Sequence, residues 1–285
     1  MDRSLRIVEP ACGGLEIHLG QSPSPIARIE ENTWESSFFG RRQAKASIDF
    51  EAVPADGTSI LKQVVASLGS EADRLRYALT EIRIDARNLG SFAMLQDAGF
   101  RLVESRVGFQ RRVERASVRK FSYPGGRIRL GTQADHETLL KLTRDGFACN
   151  DAFYSRFKNP SYFSQEQTER YYSEWVTHHL EVDDYYWAVL DVADRTVGYM
   201  LYTKIGAHES GAPRYSGVLS TVAPGSRGGN ALTAIRSFIF NRIPEDLFYW
   251  ESFSQLSNLS AITSQMHDGM RLSSVEHILY REGPV

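Results

Sequence analysis

Between Val222 and Leu232 the chain reads Val-Ala-Pro-Gly-Ser-Arg-Gly-Gly-Asn-Ala-Leu, a glycine-rich turn placed where an apolar segment ends and a helical pattern begins. A turn of this kind leaves several backbone N–H groups unpaired and aims them in one direction, and the dipole of the following helix adds partial positive charge. The chemistry on offer is anion binding. Gly228 and Gly229 let the main chain approach a ligand closely, and Arg227 can supplement the amides with a charged fork. The turn is neither a P-loop, because no Gly-Lys-Thr/Ser comes after it, nor a G-x-G-x-x-G fingerprint. C-caps and tight turns use the same residues, so its meaning depends on the elements downstream of it.

Other residue types invite chemistry more weakly. His178 and His179 are neighbours on a helical stretch and point to different faces, so they do not form a metal pair. His208 lies in a loop bounded by Gly206 and Gly211, where it is either a base for an incoming ammonium or the tip of a solvated hairpin. Arg156, Tyr172 and Trp175 suit a sugar nucleotide, since guanidinium pairs with phosphate and aromatic faces stack on rings. Tyr172 and Trp175 are equally at core helical spacing. Cys12 and Cys149 stand alone, without a CxxC pair or a histidine at ligand spacing, so no metal site or disulfide is indicated.

The elements that must position these residues announce themselves by repetition. Asn88-Leu89 opens a helical stretch reaching Gly99-Phe100-Arg101-Leu102, and an alternating segment then runs to Arg111. Asn258-Leu259 opens a second, reaching Gly269-Met270-Arg271-Leu272 and ending at Arg281, with the same offset joining every pair. Asn caps a helix start and Gly takes the left-handed position past its end. Alternation such as Val103, Ser105, Val107, Phe109 then marks a strand. The sequence Ser122-Tyr123-Pro124-Gly125-Gly126 reads as a linker. We therefore expect two related domains, residues 1–123 and 124–285. In the second, strands are expected at 128–130, 186–192, 196–203, 217–222 and 247–253, with helices after Asp135, through Tyr171–Trp175, from about 229 to 241, and after Asn258. This order implies an α/β fold with a mixed sheet and helices on both faces.

Composition narrows the function classes. The chain has 285 residues, 42% hydrophobic and 24% charged, with a net charge of −2. Nothing in that balance favours a nucleic-acid backbone or an anionic membrane as partner. No apolar run approaches the roughly 20 residues that span a bilayer, and Met1–Pro10 lacks a signal-peptide core, so a cytoplasmic protein is expected.

The segment from Val222 to Arg281 resembles the acetyl-CoA-binding core of the GNAT superfamily of N-acyltransferases. Its signature of Gln or Arg, two residues, Gly, one residue, Gly or Ala reads here Ser226, Arg227-Gly228, Gly229, Asn230, Ala231, with Ser alone departing. A later family pattern is met by Asn258, Ala261 and Gly269-Met270. Trp34-Glu35-Ser36-Ser37-Phe38-Phe39-Gly40 is similar to an N-terminal signature of the dTDP-fucosamine acetyltransferase subgroup, as are Ser155-Arg156-Phe157 and Tyr171–Trp175. The resemblance implies two tandem GNAT-like domains. It implies transfer of an acyl group from acetyl-CoA or a longer acyl-CoA to the amine of a dTDP-type sugar nucleotide. Another small-molecule or peptide amine as acceptor, or acyl-CoA binding without catalysis, are the alternative readings.

In that family the thioester arm lies along the strand before the glycine turn, which assigns Ser220, Thr221 and Val222 to the cofactor, with Ser226 through Ala231 on the pyrophosphate and Asn258 reaching the pantetheine arm. The usual proton donor to the thiolate is a Tyr seven residues after this Asn. Here that residue is Gln265, which is no acid, and His267 and Tyr215 are the nearest candidates to replace it. The first half has Pro54–Ile60 opposite the glycine turn, with one glycine and Asp56 where phosphate would sit. Repulsion disfavours a cofactor there. That half is then a degenerate copy that closes the acceptor cleft or mediates a homodimer.

Overall fold

The computed structural model describes residues 4–10, 13–54, 56–152, 154–182, 184–227 and 230–284. Their strands are β1 (Leu5–Val8), β2 (Leu15–Leu19), β3 (Pro25–Glu31), β4 (Gln43–Ile48), β5 (Leu79–Asp85), β6 (Arg101–Glu114), β7 (Gly126–Leu130), β8 (Tyr185–Val192), β9 (Arg195–Ala207), β10 (Pro213–Val222), β11 (Leu247–Gln255) and β12 (Arg271–Glu282). The helices are α1 (Thr33–Phe39), α2 (Thr58–Arg74), α3 (Leu89–Asp97), α4 (His136–Thr143), α5 (Gln165–Glu181), α6 (Ala231–Arg242) and α7 (Leu259–His267).

The chain divides into two units. One holds the residues up to Ser105 together with those from Val275 onward, and the other is Arg106–Ser274. These limits differ from the expected halves 1–123 and 124–285. The linker at 122–126 is real as a loop, but β6 has already become part of the second unit by Arg106, and the end of β12 returns to the first. Local composition marks where a chain turns, not which sheet a strand joins.

In the first unit the strand order is β1-β2-β3-β4-β5-β12, antiparallel except for the parallel pair β4 and β5. Helix α2 crosses between those two parallel strands and buries Ile60, Leu61, Val64, Val65, Leu68 and Ala72, one stripe at helical spacing, among Ile17, Ile29, Ala46 and Ile82. Each aliphatic side chain so buried contributes about 1.5–3 kcal/mol.

In the second unit the order is β6-β11-β10-β9-β8-β7, with β10 and β11 the parallel pair. Side chains alternate between the two faces. Val189, Tyr199, Leu201 and Leu219 pack under α4 and α5 with Leu139, Leu142, Val176 and Leu180. On the opposite face Tyr202 and Trp250 meet Phe240 of α6. The expected strands and helices of this unit are all present. β9 and β10 extend further than expected, as a hairpin closed where Gly211 N–H donates to His208 O at 2.8 Å.

The repeat holds in detail. Helices α3 and α7 each span nine residues between Asn and Gly, with Gly99 at φ 89° and Gly269 at φ 74°. The two closing arginines are exchanged. Arg281 of β12 donates to Ala98 O at the end of α3, and Arg111 of β6 donates to Asp268 O at the end of α7. A cation against the orphan carbonyls of a helix C-terminus is favourable, which is why both copies end in arginine.

Candidate functional site

The second unit has a break in its sheet at the parallel pair. Arg214–Gly217 of β10 pair with Tyr249–Ser252 of β11, and the ladder then stops although β10 runs to Val222 and β11 to Gln255. A bulge between Gly217 and Leu219 in the pairing of β10 with β9 twists the strand away at this point. Among the described residues the facing edges of Val218–Val222 and Phe253–Gln255 carry no ladder to each other. They form a notch of free backbone donors and acceptors. Ser220 lines it half-buried, and Thr221 and Val222 are buried.

Beyond the notch Pro224–Ser226 make a 3-10 turn. Arg227 Nε donates to Val222 O at 3.0 Å, and the Tyr123 hydroxyl donates to Ser226 O at 3.3 Å, so the turn is held on both sides. Gly228 and Gly229 lie outside the described residues. Asn230 comes next at φ 57° as the N-cap of α6, makes no side-chain capping bond, and is exposed, while Ala231 is buried. The first turn of α6 has no acidic residue. Its orphan amides and dipole therefore face outward uncompensated, which fits a phosphate group.

The other wall of the notch comes from the segment after α4. Residues Arg144–Ala148 form a π-turn, a feature often found at functional sites. It lets Gly146 press on Thr221, where a Cβ would collide with Oγ1. Asn150 Nδ2 donates to Gly146 O at 3.1 Å. Further on, Ser257 Oγ both accepts from Tyr154 N–H and donates to Tyr154 O, each at 3.1 Å, tying this loop to the start of α7. There Asn258 caps α7 by accepting from Ala261 N–H at 3.2 Å. The glycine turn and the Asn258 cap thus come directly after the ends of the two parted strands.

The residues expected to contact an acceptor are placed unevenly. Arg156 is buried with its guanidinium 4.4 Å over the Phe157 ring. The Tyr172 hydroxyl shares a 3.0 Å hydrogen bond with Ser155, and its ring stacks on Phe147. Trp175 packs against the core and edge-on to His179. His179 Nδ1 bonds to Trp175 O at 2.6 Å, and burial lowers its pKa, so it is a neutral core histidine. These side chains sit in packing. His208 is different: it lies flat on Tyr249 at 3.8 Å and 8°. Beside Tyr249 on the same strand, Glu251 receives both arms of the Arg214 fork at 2.8 Å and Gln110 at 3.0 Å. Burial alone would raise the Glu251 carboxyl, and these donors hold it below the usual range. Sequence reading missed Glu251, Arg214 and Tyr249, because their meeting depends on strand register and not on local motif.

The two candidates for the missing acid are not at the notch. The Tyr215 hydroxyl donates to Glu245 at 2.9 Å in the paired part of β10, and burial raises its pKa. His267 is exposed in the last turn of α7, about 13 Å along the axis from Asn258. Gln265 is buried against β11 and accepts from Ser252 Oγ. It fills a structural place. Among the described residues no cluster of His, Cys, Asp and Glu suits a metal ion, and no helix is long and apolar enough to cross a membrane. Cys149 is exposed and Cys12 lies outside the described residues.

No family model matches the chain. It is 23% identical over 257 residues to a dTDP-fucosamine acetyltransferase of Escherichia coli O6:H1, covering 90% of this chain and 98% of that protein. A tandem GNAT protein from the clavulanic acid biosynthesis pathway superposes with a TM-score of 0.61 at 11% identity, covering 100% of this chain and 86% of the other. A GCN5-related N-acetyltransferase from Sphaerobacter thermophilus gives the same TM-score at 14% identity, over 94% and 80%. With a parted parallel pair, a glycine turn and an Asn-capped helix in their expected order, the chain has the fold of the tandem GNAT proteins.

Proposed function

We propose that this protein is an acyl-CoA-dependent N-acyltransferase whose second unit carries the cofactor and whose acceptor is the amine of a nucleotide-linked deoxyamino sugar. The observation that carries the reading is the end of the β10–β11 ladder at Gly217 and Ser252, directly before an uncapped helix start. A notch of unpaired backbone groups suits the amide-rich arm of acyl-CoA, and the α6 N-terminus suits its pyrophosphate. Similarity to the dTDP-fucosamine acetyltransferase supports the acceptor class.

The reaction needs a neutral amine, a polarised thioester carbonyl and departure of a thiolate. Backbone N–H groups of β10 at the bulge supply donors to the oxygen that becomes negative as the amine attacks. Collapse of the tetrahedral species breaks the C–S bond and leaves the amide. The thiolate is a good leaving group, and water protonates it, so positioning supplies most of the rate and no side-chain acid is required at Gln265. His208, laid on Tyr249 beside Glu251, is placed to take the proton of the incoming ammonium. Titration calorimetry with acetyl-CoA and longer acyl-CoAs, followed by assay on a panel of dTDP- and UDP-amino sugars, tests both halves of the proposal. Absence of binding to every acyl-CoA overturns the first half. Turnover with another amine but with no amino sugar overturns the second.

A further inference from the structure

A cavity of about 370 Å³ lies between α6, the C-terminal end of α7 and the loop after β6, within the second unit. Asn230, the N-cap of α6, forms part of its wall, so it opens beside the glycine turn. Its charges are unbalanced. Arg111, Arg119 and Arg236 line it against the single carboxylate of Asp268, three positive groups to one negative.

That carboxylate is fully engaged. Its Oδ1 accepts from Thr233 Oγ1 at 2.6 Å, and its Oδ2 meets Arg236 Nη1 in a buried ion pair. Arg236 is only 4% exposed, and its Nε has no hydrogen-bond partner among the described residues. Arg111 donates to the Asp268 carbonyl and lies over the Phe240 ring, with no carboxylate partner among the described residues. Burial first, and then the charge of Arg111, bring the pKa of Arg236 down to about 10. A buried guanidinium with an open donor, next to a second cation, is costly unless an anion completes it. The wall is built and held: Ser237 Oγ donates to Arg119 O at 2.7 Å and accepts from Phe121 N–H at 3.1 Å, pinning the loop to α6.

From this geometry we infer that the cavity is a phosphate site for the 3′-phosphorylated adenosine end of acyl-CoA, with Arg111, Arg119 and Arg236 as its cationic wall and the apolar side of Val118 and Phe121 against the base. The inference rests on the acyltransferase reading and extends it from the pyrophosphate turn to the nucleoside. The shared chemistry is a phosphate monoester on a ribonucleoside, which a free nucleotide also carries.

The test compares acetyl-CoA with its dephospho form, lacking only the 3′-phosphate, by titration calorimetry. Acetyl-CoA is expected to bind the wild-type protein at least about tenfold more tightly, as loss of one charge-assisted contact implies. Arg119→Gln, at an exposed position, narrows that ratio, and Arg111→Lys keeps most of it. Adenosine 3′,5′-bisphosphate is expected to displace acetyl-CoA. Equal binding of the two acyl-CoAs overturns the phosphate site while leaving the acyltransferase reading intact. Bisphosphate that binds without displacing acetyl-CoA assigns the cavity to a separate nucleotide and also overturns it. Failure of both acyl-CoAs to bind overturns the two proposals together.

Discussion

Arg281 sends Nη1 and Nη2 to the two carboxylate oxygens of Asp73 at 2.6 and 2.7 Å, while its Nε donates to Ala98 O. One side chain from the last strand thereby ties down the last turn of α2 and the end of α3. Replacing it with Lys keeps the charge but removes the bidentate geometry, and about 1–2 kcal/mol of stability should go with it. A denaturant titration of Arg281→Lys checks this, with an unchanged midpoint counting against the clasp.

Asp135 should make the fold sensitive to acid. Arg129 bonds both of its oxygens at 2.7 and 2.8 Å, and Thr132 N–H donates to it at 2.7 Å, so its carboxyl titrates below the usual range. A depressed carboxyl contributes stability that is present above its unfolded value of about 4 and is lost as pH falls through the lower folded value. Asp135→Asn should therefore cost about 1–3 kcal/mol at neutral pH and flatten the acid limb of the stability curve. Melting temperature measured from pH 3 to pH 7 reads both effects.

Of the fold, what was legible in the sequence was whatever local chemistry encodes. Asn and Gly punctuate α3 and α7, and alternation marks β10 and β12, so elements and their order could be read. The exchange of β6 and β12 between units was not legible, because both strands carry the same pattern and either sheet accepts it. The same holds at the site. The glycine turn is a local motif, whereas Glu251, Arg214 and His208 meet through register and a stacking contact. Tyr172 and Trp175 had the spacing of either core or site, and burial alone separates the two.

The two capping asparagines offer an internal comparison. Asn258 accepts from Ala261 N–H, whereas the side chain of Asn88 makes no capping bond. Asn258→Ala should cost about 1 kcal/mol and weaken acetyl-CoA binding, and Asn88→Ala should stay within about 0.5 kcal/mol of wild type. Thermal unfolding and calorimetry on the pair decide it. Equal effects would remove the distinction between the copies.

Gly146→Ala drives a methyl into Thr221. Overpacking of this kind costs about 1–3 kcal/mol, and here it shifts the strand that forms the notch. Adding Thr221→Ala should restore part of both stability and acyl-CoA affinity. A double-mutant cycle with no coupling would show that the two backbones do not bear on each other.

Gln265→Leu separates structure from chemistry. Ser252 Oγ loses its acceptor, so stability should fall by about 1–2 kcal/mol, while kcat stays within about twofold of wild type. A fall in kcat of about a hundredfold with a changed pH profile would instead place Gln265 in the proton path.

Strand exchange also bears on how the protein is made. The residues from Glu276 to Glu282 pair with β5, yet the ribosome adds them after everything from Arg106 to Ser274. The first unit consequently waits with the β5 edge of its sheet open throughout synthesis of the second, in a chain whose domains would otherwise fold in order of emergence. During that interval the nascent N-terminal region is a natural client for a chaperone, and a stalled ribosome would leave it unfinished.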